Sequence, residues 1–371
     1  MMKPGDWGMN SCKKVSSRSS SEQQRTARCV RVNRRKANMK NHTHILVTGG
    51  TGFLGRSLVE RLVQQGERVR VLGRRLVVRW RHNKLVEHIR ADITEAGVIE
   101  AALRGIDQVY HLAAATQEKN WAAYQAATVD ASARLLDCFA AQGGGRMVFV
   151  SSIIVYDSDM MRDGLVINED FPLGGNLCYS NNYARAKTEA ERLAQTYLAH
   201  SLIKLTIVRP GIIYGPGLKK PLNGVAFNIK GKLLVLLGKG DKSVPLIYLD
   251  DVAHALVEVM RNERSIGCIY NLVHPEIPTQ NEYLALYQKL SGDKRPSIRI
   301  PKKIVMLLFS FTEFALRVAL NRKSHLRRKA ARAMKQVDYS SERLREDTCF
   351  EPSVSFHEGM HKMLNIGAND S

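Results

Sequence analysis

A chain of 371 residues is long enough for one large domain or two modest ones, and its 44% hydrophobic and 25% charged composition excludes a fibrous or wholly disordered protein. Six scattered cysteines without CxxC or other ligand spacing argue against a zinc site and against a disulfide framework, and fit a reducing, cytoplasmic setting. The net charge of +21 does not signal nucleic-acid binding: residues 1–40 carry 11 Lys/Arg against 2 acids, residues 294–336 carry 13 against 1, and the remainder is neutral.

Residues 1–40 are rich in Ser, Arg and Lys and show neither a helical nor a strand period. Such a segment buries too little surface to offset its ordering entropy, so it is expected to be a disordered basic extension, or a mis-assigned start with Met39 as the initiator. It lacks the apolar core of a signal peptide.

The first ordered element is a short apolar strand, Ile45–Val47, followed by Gly49, Gly52 and Gly55 and then by apolar residues at helical intervals from Leu54 to Leu62. A strand, a glycine-rich turn and a helix form the phosphate-binding corner of a dinucleotide fold. Gly49 permits the tight turn, Gly52 lets backbone N–H groups approach a pyrophosphate, and Gly55 allows close helix–strand packing. The helix N-terminus adds a partial positive charge.

Further strands are predicted at Val69–Leu72, Ile106–Leu112 and Met147–Val150, with a long helix from Trp121 to Ala141. This alternation implies an α/β, doubly wound parallel sheet of the Rossmann type, with ligands at the carboxyl ends of its strands. An acidic residue after the second strand would favour NAD, and a basic one the 2′-phosphate of NADP. Here the strand runs into Gly73–Arg74–Arg75, which favours NADP(H) over NAD(H). Asp92, after another short strand, is a candidate for the adenine amino group.

Candidate catalytic residues follow. Ser152 lies just past the carboxyl end of the strand Met147–Val150, and Tyr183 and Lys187, four apart, share one helical face. A tyrosine with a pKa of about 10 is a poor base near neutrality. A neighbouring ammonium and the nicotinamide cation favour its phenolate, so Tyr183 exchanges the proton and Ser152 orients the substrate oxygen.

Taken in order, the motifs resemble those of the extended short-chain dehydrogenase/reductase family, the NAD(P)-dependent epimerases, dehydratases and 3β-hydroxysteroid dehydrogenases. They are Thr48–Gly55, Asp92, His111–Ala114, Val150–Tyr156, Tyr183 with Lys187, Arg209–Gly217, Ile247–Ala253 and the tail from Phe350 to Met360. The resemblance implies a catalytic set of Ser152, Tyr183 and Lys187. It implies a cofactor site of Gly49, Gly52, Phe53, Leu54, Gly55, Arg74, Arg75, Asp92, Ile93, Ala113, Ala114, Tyr183, Lys187, Pro210 and Ile212, with no metal.

Two positions depart from the family pattern. Thr128 stands where asparagine is frequent, and Val244 stands where many nucleotide-sugar members carry an arginine that grips the diphosphate. A valine cannot make that contact, although Lys219, Lys220, Lys239 or Lys242 could substitute.

The expected organisation is a Rossmann domain over residues 41–275, with 216–244 contributing to the substrate side, and a smaller, mainly helical substrate cap and tail over 276–371. Within the cap, Ile304–Leu320 is a 17-residue apolar run containing Glu313 and Arg317, too short and too charged for a transmembrane span. Followed by the basic segment Asn321–Lys335, it is either a buried cap helix or a peripheral membrane contact through residues 304–336.

The expected function is hydride transfer at a secondary alcohol or ketone, as net oxidoreduction, epimerisation or dehydration. The small-molecule substrate is a sterol-like or other lipidic alcohol, or a nucleotide-sugar. A homodimer is compatible with the sequence, and a nucleic-acid partner is not expected. A non-catalytic NADP-sensing protein is the alternative of a different class, and the intact Ser–Tyr–Lys set argues against it.

Overall fold

The computed structural model describes residues 45–118, 120–175, 181–320 and 326–365. The expectation for residues 1–40 falls outside them. Seven parallel strands form the main sheet: β1 (Ile45–Thr48), β2 (Val69–Gly73), β3 (Val86–Arg90), β4 (Gln108–His111), β5 (Arg146–Val150), β6 (Lys204–Pro210) and β7 (Ile269–Leu272). Their order is β3-β2-β1-β4-β5-β6-β7. The order reverses between β1 and β4, and that reversal opens a crevice at the strands' carboxyl ends.

Five helices cover the two faces: α1 (Phe53–Gln64), α2 (Val98–Leu103), α3 (Ala131–Ala141), α4 (Asn182–Ala199) and α5 (Leu249–Arg261). Strand alternation divides the core between them. Ile45, Val47, Val148 and Val150 pack with Leu58 and Leu62 of α1 and Leu256 of α5. Leu46, Met147 and Phe149 face Leu135 and Phe139 of α3 and Ala190 of α4. Because both faces are covered, the central strands read as continuous apolar runs.

The long helix predicted over Trp121–Ala141 divides into Trp121–Tyr124, a π-helical stretch Gln125–Asp130 and α3. The wider turn holds the buried Thr128, whose Oγ1 accepts the Ala115 N–H at 2.9 Å.

The C-terminal third holds α6 (Gln280–Ser291), α7 (Lys302–Leu320), α8 (Leu326–Ala333), α9 (Glu342–Thr348) and α10 (Phe356–Asn365). A Thr279–Glu282 capping box opens α6, and Gly292 at φ 69° closes it. The substrate side is not purely helical. Phe227–Ile229, Leu233–Leu237 and Ser297–Ile300 form a three-stranded sheet whose buried Leu234 and Leu236 share a cluster with Tyr283 and Leu284 of α6 and Met360 of α10. Nor does 276–371 stay in one layer. Val337–Tyr339 pairs with Leu165–Ile167, and Leu344 and Phe350 join the α1–α5 side of the main core. No described helix is long and apolar enough to cross a membrane. Cys138 and Cys268 carry free thiols.

Candidate active site

The glycine turn between β1 and α1 is fixed by close approaches. Gly49 has φ +68°, and a Cβ there would lie 2.9 Å from the Ala113 nitrogen; a Cβ on Gly55 would lie 2.3 Å from the Gly49 carbonyl oxygen. Gly52 is the N-cap of α1, with no side-chain cap bond and no acid in the first turn. The first N–H groups of α1 therefore remain available, together with the positive end of the helix dipole, to an anion in the crevice. This suits a pyrophosphate, so the residues present fit a dinucleotide.

At the end of β2 a Cβ on Gly73 would strike the Thr51 hydroxyl at 2.4 Å, so no carboxylate fits at that position. The exposed Arg74 and Arg75 follow, and Arg74 lies 3.7 Å from the Asp92 carboxylate. That carboxylate also accepts the Thr94 N–H and hydroxyl. Arg74, Arg75, Asp92 and Ile93 line one end of the crevice.

The end of β4 is held by a buried polar chain. The His111 Nδ1 is 2.7 Å from the Thr48 hydroxyl and its Nε2 is 2.8 Å from that of Ser132. The Thr48 hydroxyl also accepts the Ala113 N–H at 3.3 Å. Burial, helped by the charge of Lys187, depresses His111 to about 3, so the imidazole is neutral near pH 7. Together with Thr128, this chain fixes the wall Leu112–Ala115.

At the end of β5, Ser152 and Tyr183 line the same crevice, and the Ser152 hydroxyl favours the Tyr183 phenolate. Lys187 Nζ donates to the Val150 carbonyl at 2.6 Å. Burial pulls Lys187 down to about 8, opposed by the Glu191 carboxylate. Tyr183 departs from expectation: its phenol is raised by burial, although the Ser152 bond lowers it. In the protein alone the dry surroundings outweigh the Ser152 contribution, while one Lys187 N–H is held by a backbone carbonyl.

Behind these residues lies a buried network. Glu191 accepts the Ser151 hydroxyl on one oxygen and the Arg209 guanidinium, at 2.6 and 2.9 Å, on the other. Arg209 also donates to the Tyr156 hydroxyl at 2.8 Å and the Glu169 carbonyl at 3.0 Å. Neither Glu191 nor the role of Arg209 was foreseen, and two signals were available. Glu191 is one helical turn beyond Lys187, and Arg209 is a cation inside the apolar strand LTIVRP.

One crevice of about 520 Å³ is lined by the glycine turn together with Ser152, Tyr183 and Lys187. All the expected site residues line it except Ile212. In the extended segment Ile212–Tyr214 adjacent side chains point to opposite sides, so Ile213 faces the crevice while Ile212 packs with the Tyr214–Leu246 cluster. Among the described residues, the cations on the crevice wall are Arg74, Arg75 and Lys187. Val244 is buried in the cap core, Lys219, Lys220 and Lys239 are exposed away from that wall, and Lys242 is half-buried and likewise off it.

Comparison with known proteins places this geometry among relatives. Residues 45–272 match the model of the NAD dependent epimerase/dehydratase family. The chain is 26% identical over 275 residues to UDP-glucuronic acid decarboxylase 1 of Danio rerio, covering 69% of this chain but only 62% of that protein's length. It is 25% identical over 342 residues to 2-alkyl-3-oxoalkanoate reductase of Shewanella oneidensis, covering 86% of this chain and 85% of that one. The fold is similar to a crystal structure of UDP-glucuronic acid 4-epimerase from Bacillus cereus in complex with NAD, with a TM-score of 0.68 at 20% identity, covering 87% of this chain and 98% of that one.

Proposed function

This chain belongs to the NAD dependent epimerase/dehydratase family, within the extended short-chain dehydrogenases/reductases, and on that premise we propose that it is an NADP(H)-dependent oxidoreductase acting on a secondary alcohol or ketone of a lipidic molecule. The observation that carries the reading is the convergence of Ser152, Tyr183 and Lys187 on the crevice that also holds the uncapped N-terminus of α1. A nicotinamide dinucleotide, when bound, supplies the hydride donor or acceptor.

Gly52, Phe53, Leu54 and Gly55 hold the pyrophosphate, Asp92 and Ile93 the adenine, and Ala113, Ala114 and Pro210 the middle and nicotinamide end. Arg74 and Arg75 take the 2′-phosphate, which is the argument for NADP(H). Tyr183 exchanges the hydroxyl proton, Ser152 orients the substrate oxygen, and Lys187 fixes the charge beside them. A cation bound next to Tyr183 supplies the phenolate stabilisation that the protein alone lacks.

The lipidic substrate is favoured because, among the described residues, no cation besides Arg74, Arg75 and Lys187 lines the crevice, whereas a nucleotide-sugar diphosphate calls for a further one. The Shewanella relative, named as a reductase of 2-alkyl-3-oxoalkanoates, agrees with that chemistry. The relative from Danio, named for a UDP-glucuronic acid reaction, keeps the nucleotide-sugar alternative in the test. Partners are a small molecule and no nucleic acid, in the cytoplasm or on a membrane surface. The test is turnover with both cofactors against a panel of apolar ketones, sterol-like alcohols and nucleotide-sugars. Turnover of nucleotide-sugars alone would overturn the lipidic assignment.

A further inference from the structure

We propose that α7, with α8 and the adjoining small sheet, docks this protein on an anionic lipid bilayer. Helix α7 is apolar on two opposite sides. Val305, Met306 and Phe309 pack inward against Leu237, Ile300, Ala330 and Met334. Ile304, Leu307, Leu308, Phe311 and Phe314 recur at helical spacing on the other side and face solvent, with Leu307 71% and Phe311 70% exposed.

The small sheet carries exposed apolar residues of its own. Leu237 and Ile300 are register partners beneath α7. Strand alternation puts Val235 and Leu233 on the face that Leu237 uses. Their register partners Ile298, Phe227 and Ile229 therefore share it, and all three are exposed. Exposed large apolar side chains gathered on two neighbouring elements mark an interaction surface.

Charge selects the occupant. Residues 294–336 carry 13 Lys/Arg against the single acid Glu313. Lys303 precedes the stripe directly, and α8 runs antiparallel beside α7, with the Arg327 N–H on Glu313 at 3.0 Å. An isologous dimer through this face would set the exposed Lys303 and Arg327 against their own copies. An apolar stripe edged with cations instead suits headgroups and acyl chains of an anionic leaflet. The pair is anchored to the body by Lys302 on Asp163 at 3.4 Å and by the Gln336 N–H on Asp163 at 2.8 Å. The inference stands on this surface and not on the substrate assignment.

The experiment is flotation of the full chain with phosphatidylcholine vesicles, with and without about 30% phosphatidylserine. The expected result is flotation with the anionic vesicles only, released when salt rises from about 0.1 M to about 0.5 M. Leu307→Glu/Phe311→Glu should lower the bound fraction about tenfold or more, and Lys303→Glu/Arg327→Glu should also weaken it. NADPH binding, measured in parallel, should be the same for the parent and these variants, which verifies that they fold. Failure of the parent to float, or equal flotation of the folded Leu307→Glu/Phe311→Glu variant, would overturn the proposal. So would a dimer in light scattering that this variant dissolves, because it assigns the face to a second copy.

Discussion

Lys187 Nζ donates to the Val150 carbonyl at 2.6 Å, which ties the helix carrying Tyr183 to the strand that delivers Ser151 and Ser152. The spacing of the two candidate catalytic segments is thereby set by a buried lysine anchored on a backbone carbonyl. Glu191, one turn further along the same helix, repeats the device through Ser151 and Arg209.

Replacing Tyr183 by Phe keeps the ring and removes the exchangeable proton. Turnover should fall about 10²–10⁴-fold, the usual span for a general acid–base group, while NADPH affinity changes less than about threefold. Steady-state kinetics and calorimetric titration check the two halves. Unchanged turnover would remove Tyr183 from the chemistry.

Glu191 and Arg209 are both essentially inaccessible to solvent. Glu191→Gln leaves a buried guanidinium without its counter-charge, which should cost about 3–5 kcal/mol in a urea titration. The same change withdraws the carboxylate that supports the Lys187 ammonium. A loss below about 1 kcal/mol would mean that the network does not hold the site together.

Arg74→Ser/Arg75→Ser removes the two exposed cations at the end of β2. Affinity for NADPH should drop about tenfold or more, with that for NADH nearly unchanged, because only the 2′-phosphate uses those charges. Parallel loss of both affinities would assign the arginines to general electrostatics, and parent binding that favours NADH would refute the NADP(H) preference.

His111 supplies a pH dependence with a definite sign. Its folded-state value of about 3 lies below the ordinary value of about 6.5, so the unfolded chain binds the proton first on acidification. The stability held by the neutral imidazole is complete above about pH 6.5. It declines as pH falls towards 3, by about 1.4 kcal/mol per unit. Denaturation of the parent and of His111→Gln at pH 7.5 and 5.5 isolates this slope as their difference. Equal slopes would show that His111 is not its source.

The fold class and most of the crevice were legible because they depend on local chemistry. A glycine that must pass within 3 Å of a neighbouring strand, a buried strand of continuous apolar residues, and a Tyr and Lys one turn apart are all recorded over a few residues. That Ile213 rather than Ile212 lines the crevice is not legible in sequence, because the phase of a three-residue strand is not fixed by its own apolar run Ile–Ile. Glu191 and Arg209 went unnoticed because a charged residue declares itself buried only when its partner, 18 positions away, is seen beside it.

The sequence by itself determined the Rossmann fold class, the glycine turn and the identity of the three side chains that line the crevice, since periodicity, glycine spacing and helical repeat are one-dimensional properties. Tertiary structure alone decided where the last third goes. It sent Leu344 and Phe350 back to the main core, buried Val244 in the cap, and left one side of α7 uncovered. An apolar helix looks the same in sequence whether its outer face meets protein or solvent; only the packing of its neighbours distinguishes the two.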